Sequence, residues 1–144
     1  MNFVQANDKL INLEHVSSIN LLKDRMAFDL DSPVELDNGK IISYYAYDNY
    51  NDDKSTKEKV LFCNTYVHEN FIRHNDTLIN KNHISAVKFI DKTLRVVFNF
   101  SHSVTSVGFG GESRLTSKFI YADFKEYQDY EYFVIEIKQT LGVR

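Results

Sequence analysis

The chain has a single cysteine, Cys63, so no intrachain disulfide can form and no thiol pair is present to clip a metal. One proline and five glycines exclude collagen-like and Pro/Gly-rich low-complexity sequence. Tryptophan is absent. No apolar run reaches the roughly 18 residues that a membrane-spanning helix needs. Met1-Asn2-Phe3-Val4-Gln5 lacks the basic and apolar regions of a signal peptide, so the sequence reads as cytoplasmic, with no membrane partner.

What remains is globular in composition. Hydrophobic residues make up 43% of the 144 positions and charged residues 26%, enough apolar surface for a chain that folds on burial alone. Tyrosines cluster at Tyr44, Tyr45, Tyr47 and Tyr50 and at Tyr127, Tyr130 and Tyr132. A ring that buries while its hydroxyl stays wet suits core margins and interfaces alike. Residues 1–69 carry seven Lys/Arg against twelve Asp/Glu, and residues 70–144 carry ten against eight. Neither half is a polyanion-binding surface by bulk charge.

The chain repeats itself. Shifted by 68 residues, Asn2-Phe3-Val4-Gln5-Ala6-Asn7-Asp8-Lys9-Leu10-Ile11-Asn12 falls on Asn70-Phe71-Ile72-Arg73-His74-Asn75-Asp76-Thr77-Leu78-Ile79-Asn80, and His15 and Ser17 fall on His83 and Ser85. Nine of the sixteen positions from residue 2 to 17 are identical. Beyond them the apolar pattern persists to residues 30 and 98. A repeat is read before any element is assigned, because it dictates the architecture.

In each copy, Asn7-Asp8 or Asn75-Asp76 supplies a turn between two short strands. Alternating strands follow at Ile19 and Leu21, then Met26, Phe28 and Leu30, and at their counterparts Val87 and Phe89, then Leu94, Val96 and Phe98. Asp37-Asn38-Gly39 is a tight-turn signal before Lys40–Tyr44, a strand set against Lys118–Tyr121 at an offset of 78. The ten residues by which this exceeds 68 place an inserted loop at about 101–117. The segment Asp48–Lys54 reads as an exposed loop. Capping boxes at Ser55-Thr56-Lys57-Glu58 and Asp123-Phe124-Lys125-Glu126 open closing helices at about 56–69 and 124–141. The expected fold is therefore α+β. It is a tandem repeat of two similar units, 2–69 and 70–144, each of four or five antiparallel strands and one helix, packed as one pseudo-symmetric body.

Candidate chemistry is sparse. His15 and His83 sit beside Asn12/Asn80 and Ser17/Ser85, and these side chains are expected to satisfy backbone groups at turns; a small enzyme with a histidine-centred site is the third reading. The histidine spacings fit no compact metal pattern, and Cys63 falls on the apolar face of a helix, where burial is expected. No catalytic constellation, metal site or cofactor is expected. Gly108-Phe109-Gly110-Gly111 matches no phosphate loop, but it lies in the insertion that breaks the repeat. Phe109, Gly110, Gly111, Glu112 and Arg114 are thus the expected partner-binding residues, with Phe109 and Arg114 as anchors.

Across residues 55–100, a helix candidate is followed by Phe71-Ile72-Arg73-His74, by Leu78-Ile79-Asn80 and by the spaced pair Ile84 and Val87. In this order they resemble the LytTR family of bacterial DNA-binding domains, with one residue deleted after Arg73. The resemblance implies DNA binding through the second repeat, using Arg73, His74, Lys81, Lys88, Arg95 and Arg114. Where that family has an Arg-Ser pair facing DNA, this chain has Asp76-Thr77, and an acidic residue there repels phosphate. The leading expectation is consequently a non-enzymatic protein-binding module, such as an inhibitor, an immunity-type protein or a small assembly subunit. It would have a protein partner or a second copy of itself, with nucleic acid not expected.

Overall fold

The computed structural model describes residues 2–35, 42–51, 53–107 and 113–143. Among the described residues, ten strands and three α-helices follow one another as β1 (Phe3–Ala6), β2 (Lys9–Asn12), β3 (Val16–Leu21), β4 (Arg25–Glu35), β5 (Ile42–Asn49), α1 (Lys54–Cys63), α2 (Thr65–Asn70), β6 (Phe71–His74), β7 (Thr77–Asn80), β8 (Ile84–Ile90), β9 (Arg95–Val107), β10 (Ser113–Asp123) and α3 (Tyr127–Thr140). One-turn 3-10 helices at Leu13–His15 and Lys81–His83 lead into β3 and β8. All pairing is antiparallel, in a two-stranded, a five-stranded and a three-stranded sheet. The fold is α+β.

The chain divides into two compact units, Met1–Asn82 and His83–Arg144. The first holds the β1–β2 hairpin and a sheet of order β5-β4-β3-β7-β6. Hairpin β6–β7 opens the second repeat by sequence, yet it adds to the edge of β3, with Ser18, Ile19 and Asn20 opposite Ile79, Leu78 and Thr77. At the tip of β1–β2, Asn7 takes the left-handed conformation (φ 52°) that asparagine tolerates, and its side chain grips β5. Its Nδ2 donates to Tyr47 O at 3.0 Å and its Oδ1 accepts from Asn49 N at 3.1 Å. Asn75, its counterpart, has φ 53°. Leu13, Val16, Ile19, Phe28, Leu61, Val67 and Leu78 belong to the core of this unit.

The second unit is the sheet β10-β9-β8 with α3. Phe98, Phe124, Tyr130 and Phe133 pack ring on ring, with centroids 5.1 to 6.2 Å apart. The Tyr130 hydroxyl donates to Asp91 Oδ1 at 2.6 Å. Burial, then this bond, pushes its ionisation up to about 12. Gly142, at φ 72°, ends α3, and Val143 N closes back onto Lys138 O at 2.8 Å.

Local similarities between the two stretches aligned by sequence extend past the identities. A register shift falls between Val16 and Ser18 on β3 and between Ile84 and Ala86 on β8. Ile19 faces Phe28 as Val87 faces Phe98, so β9 matches β4 at an offset of 70 because the turn after β8 is two residues longer. Ala27 faces Tyr47 as Val97 faces Tyr121, which aligns β5 with β10 at 121 minus 47, or 74, rather than 78.

Several local expectations change. The single helix over 56–69 is two, because Asn64 breaks the chain with an extended backbone and caps α2 by accepting from Tyr66 N and Val67 N at 2.9 and 3.2 Å. Asp53, not Ser55, caps α1. The second closing helix starts at Tyr127, since Asp123 ends β10 opposite Arg95. Asp48, read as loop, lies buried in β5, where its carboxylate accepts from Asn7 N and pairs with Lys57 at 2.7 Å. Asp37, Asn38 and Gly39 lie outside the described residues.

Candidate nucleic-acid interface

Phe109, Gly110, Gly111 and Glu112 lie outside the described residues, and Arg114 sits on β10 opposite Ser106. The described parts of the 101–117 segment are the arms of a long hairpin, paired from Ser113 opposite Val107 to Ser117 opposite Ser103.

The repeated polar residues act on the backbone. Asn12 Oδ1 accepts from Glu14 N, and Asn80 Oδ1 from Asn82 N. Ser17 Oγ donates to Asp29 O as Ser85 Oγ donates to Asn99 O. His15 and His83 part company. His15 is exposed, with Nδ1 3.1 Å from both oxygens of Asp31, while His83 is buried. Cys63 is exposed rather than buried, because Leu61 is the side chain that α1 turns inward. Among the described residues no three His, Cys, Asp or Glu are placed to hold a metal ion, and no helix is long and apolar enough to cross a membrane.

The six residues implied by the family resemblance fall in both units. In the first, Arg73 on β6 donates Nε to Asn75 O at 2.9 Å and lies over the Phe62 ring at 4.9 Å; His74 follows it, and Lys81 opens a 3-10 turn. In the second, Lys88 is exposed on β8, and Arg95 on β9 forms a two-point pair with Asp123, Nε–Oδ1 2.6 Å and Nη2–Oδ2 3.2 Å. That pair raises the arginine's already high ionisation through the Asp123 hydrogen bond.

Sequence reading missed a second group. At one end of the five-stranded sheet, Lys23, Asp24, Asn49, Tyr50, Asn51 and Lys54 line a cleft of about 560 Å³. The turn after β3, the end of β5 and the start of α1 supply them, and Leu21 N donating to Asp76 O at 2.7 Å ties in the β6–β7 turn. The Tyr50 hydroxyl is buried, without a hydrogen-bond partner. Burial, with Glu58, Asp76, Asp24 and Asp48 nearby, pushes its ionisation up to about 12, so it is a neutral donor at physiological pH. Lysines can meet phosphate while asparagine amides match base edges. The residues come from two places far apart in the chain, the β3–β4 turn and the β5–α1 junction, so no local motif announced them.

No family model matches the sequence, and no curated protein matches it. Among solved structures, the chain is similar to the LytTr DNA-binding domain of a Bacillus cereus protein described as a methyl-accepting/DNA response regulator. The likeness has a TM-score of 0.51 at 14% identity, and it covers 97% of this chain and 94% of that one. This overturns the leading expectation of a protein-binding module and the expectation that nucleic acid is not a partner. One acidic side chain at Asp76 does not exclude DNA, because attraction for phosphate is summed over a surface. The chain has the fold of a LytTr DNA-binding domain.

Proposed function

We propose that this protein binds duplex DNA in the cytoplasm without enzymatic activity. The observation that carries this reading is the likeness to a LytTr DNA-binding domain over nearly the whole chain. The cleft at the sheet end supports it by offering Lys23 and Lys54 for phosphates and Asn49 and Asn51 for base edges. A gel-shift titration in low salt against duplex fragments from the native host tests it. Retardation at micromolar protein, weakened by Lys23→Gln with Lys54→Gln, is expected; no retardation overturns the reading.

We also infer that the scaffold descends from a tandem duplication of about 2–69 into 70–144. The shared turns at Asn7 and Asn75, the matching register shifts in β3 and β8 and the paired Ser17 and Ser85 bonds support this. On this view the hairpin that opens the second copy serves the first unit's sheet.

A further inference from the structure

Aligned by pairing register, the sheet strands of the two copies share few identical residues, and one pair of a half-buried arginine and an exposed tyrosine is among them. Arg25 lies over the Tyr47 ring at 4.1 Å, and Arg95 lies over the Tyr121 ring at 4.2 Å. The geometry is the same in each: Tyr47 faces Ala27, two residues beyond Arg25, and Tyr121 faces Val97, two beyond Arg95. Beside each tyrosine, two residues earlier, stands a second exposed ring, Tyr45 or Phe119. Core packing accounts for Phe28 and Phe98, which are also identical, but not for aromatic rings on the open side of a sheet.

The copies differ in charge on this face. Lys88 stands where the first copy has Asn20, and Asn99 where it has Asp29. Asp123, in the place of Asn49, is engaged by Arg95, which fixes the guanidinium plane over Tyr121. Phe119 and Tyr121 are 50% and 46% exposed, with ring centroids 5.1 Å apart. Lys88 lies in the same row as Tyr121, two strands away across Val97, or about 10 Å.

We propose that the open face of β8-β9-β10 binds single-stranded nucleic acid, with unpaired bases stacking on Phe119 and on the Arg95–Tyr121 pair and Lys88 meeting the backbone phosphate. Flat rings take any base, the fixed guanidinium adds a cation to the stack, and a lysine at this distance fits the neighbouring phosphodiester. The face lies in a different unit from the cleft assigned to duplex DNA, so the two activities are separable.

The test is fluorescence anisotropy of the full chain in low salt with labelled oligo(dT), oligo(rU) and a duplex of equal length. The wild type is expected to bind at least one single strand at micromolar concentration. Phe119→Ala with Tyr121→Ala should weaken that binding roughly tenfold or more while leaving duplex affinity unchanged. Phe119→Tyr with Tyr121→Phe, which keeps both rings and the sheet, should retain it. Preference for oligo(dT) or oligo(rU) tells DNA from RNA as the source of the unpaired bases, and either supports the proposal. Absence of single-strand binding by the wild type, or equal binding by the alanine variant, overturns it whatever the duplex result. So does a dimer in light scattering that the alanine variant abolishes, which reassigns the face to a second copy.

Discussion

Asn12 and Asn80 each accept from the backbone amide two residues on, yet they should differ several-fold in energetic weight. Asn80 is fully buried: its Nδ2 donates to Val16 O at 2.9 Å and to Leu13 O at 3.5 Å, and its Oδ1 accepts from Asn82 N at 3.0 Å. It fastens hairpin β6–β7 to the start of β3. Each good bond contributes about 1 kcal/mol net, and a buried group left without its partner costs about 1–3 kcal/mol, so Asn80→Ala should cost about 3 kcal/mol. Asn12 is only partly buried and accepts from Glu14 N at 3.1 Å, so Asn12→Ala should cost about 1 kcal/mol, as a lost cap does. Urea denaturation followed by far-UV circular dichroism, with an unchanged denaturant slope, reads both. Equal losses, or a larger loss at Asn12, would refute the assignment of Asn80 as the fastener.

Tyr130 and Tyr50 both ionise near 12 in the folded chain, above the ordinary 10, so folding holds their protons more tightly. Their contribution should be intact below pH 10 and drain away between pH 10 and about 12. Stability measured across that window should fall less steeply in Tyr130→Phe; an identical slope would contradict the assignment. In the paired edge Thr77 Oγ1 donates to Asn20 Oδ1 at 3.3 Å, whereas Lys9 and Lys88 occupy the equivalent places on β2 and β8, whose other edges pair with no strand among the described residues. Like charges opposed across a strand pair repel, and edge lysines block pairing. Lys9→Thr with Lys88→Asn should therefore raise self-association in light scattering, helped by Leu10, which is 70% exposed where its counterpart Leu78 is 3%. Unchanged molar mass up to high concentration would count against it.

Turns and alternation were legible in the sequence because they are local. Asn7-Asp8 and Asn75-Asp76 mark hairpins, and Met26, Phe28 and Leu30 mark a buried strand face. The pairing of β7 with β3 was not legible, since nothing within either strand names a partner some sixty residues away. Asn64 looked like one polar position inside a helix, yet its side chain competes for backbone amides and starts a new one. The four-residue error in aligning β5 with β10 arose because Lys40-Ile41-Ile42 resembles Lys118-Phe119-Ile120 in composition, while register is set by the partner strand. Of the candidate site, the isolated cations among residues 73–114 were visible; the cleft of Lys23, Asn49, Asn51 and Lys54 was not, because two distant segments, the β3–β4 turn and the β5–α1 junction, assemble it. The family resemblance is legible at Phe71–His74 and Leu78–Asn80, and Asp76, which counts against it by charge, serves through its backbone carbonyl by accepting from Leu21 N of β3.

The most direct measurement is the affinity of the full chain for a random-sequence duplex as salt is raised from low to physiological. A DNA-binding protein that uses lysines on phosphate should bind at micromolar concentration in low salt. Its affinity should then fall linearly on a double-logarithmic plot, with a shallower slope in Lys23→Gln with Lys54→Gln. No binding at the lowest salt, or binding indifferent to salt, would contradict the assignment of this protein to duplex DNA.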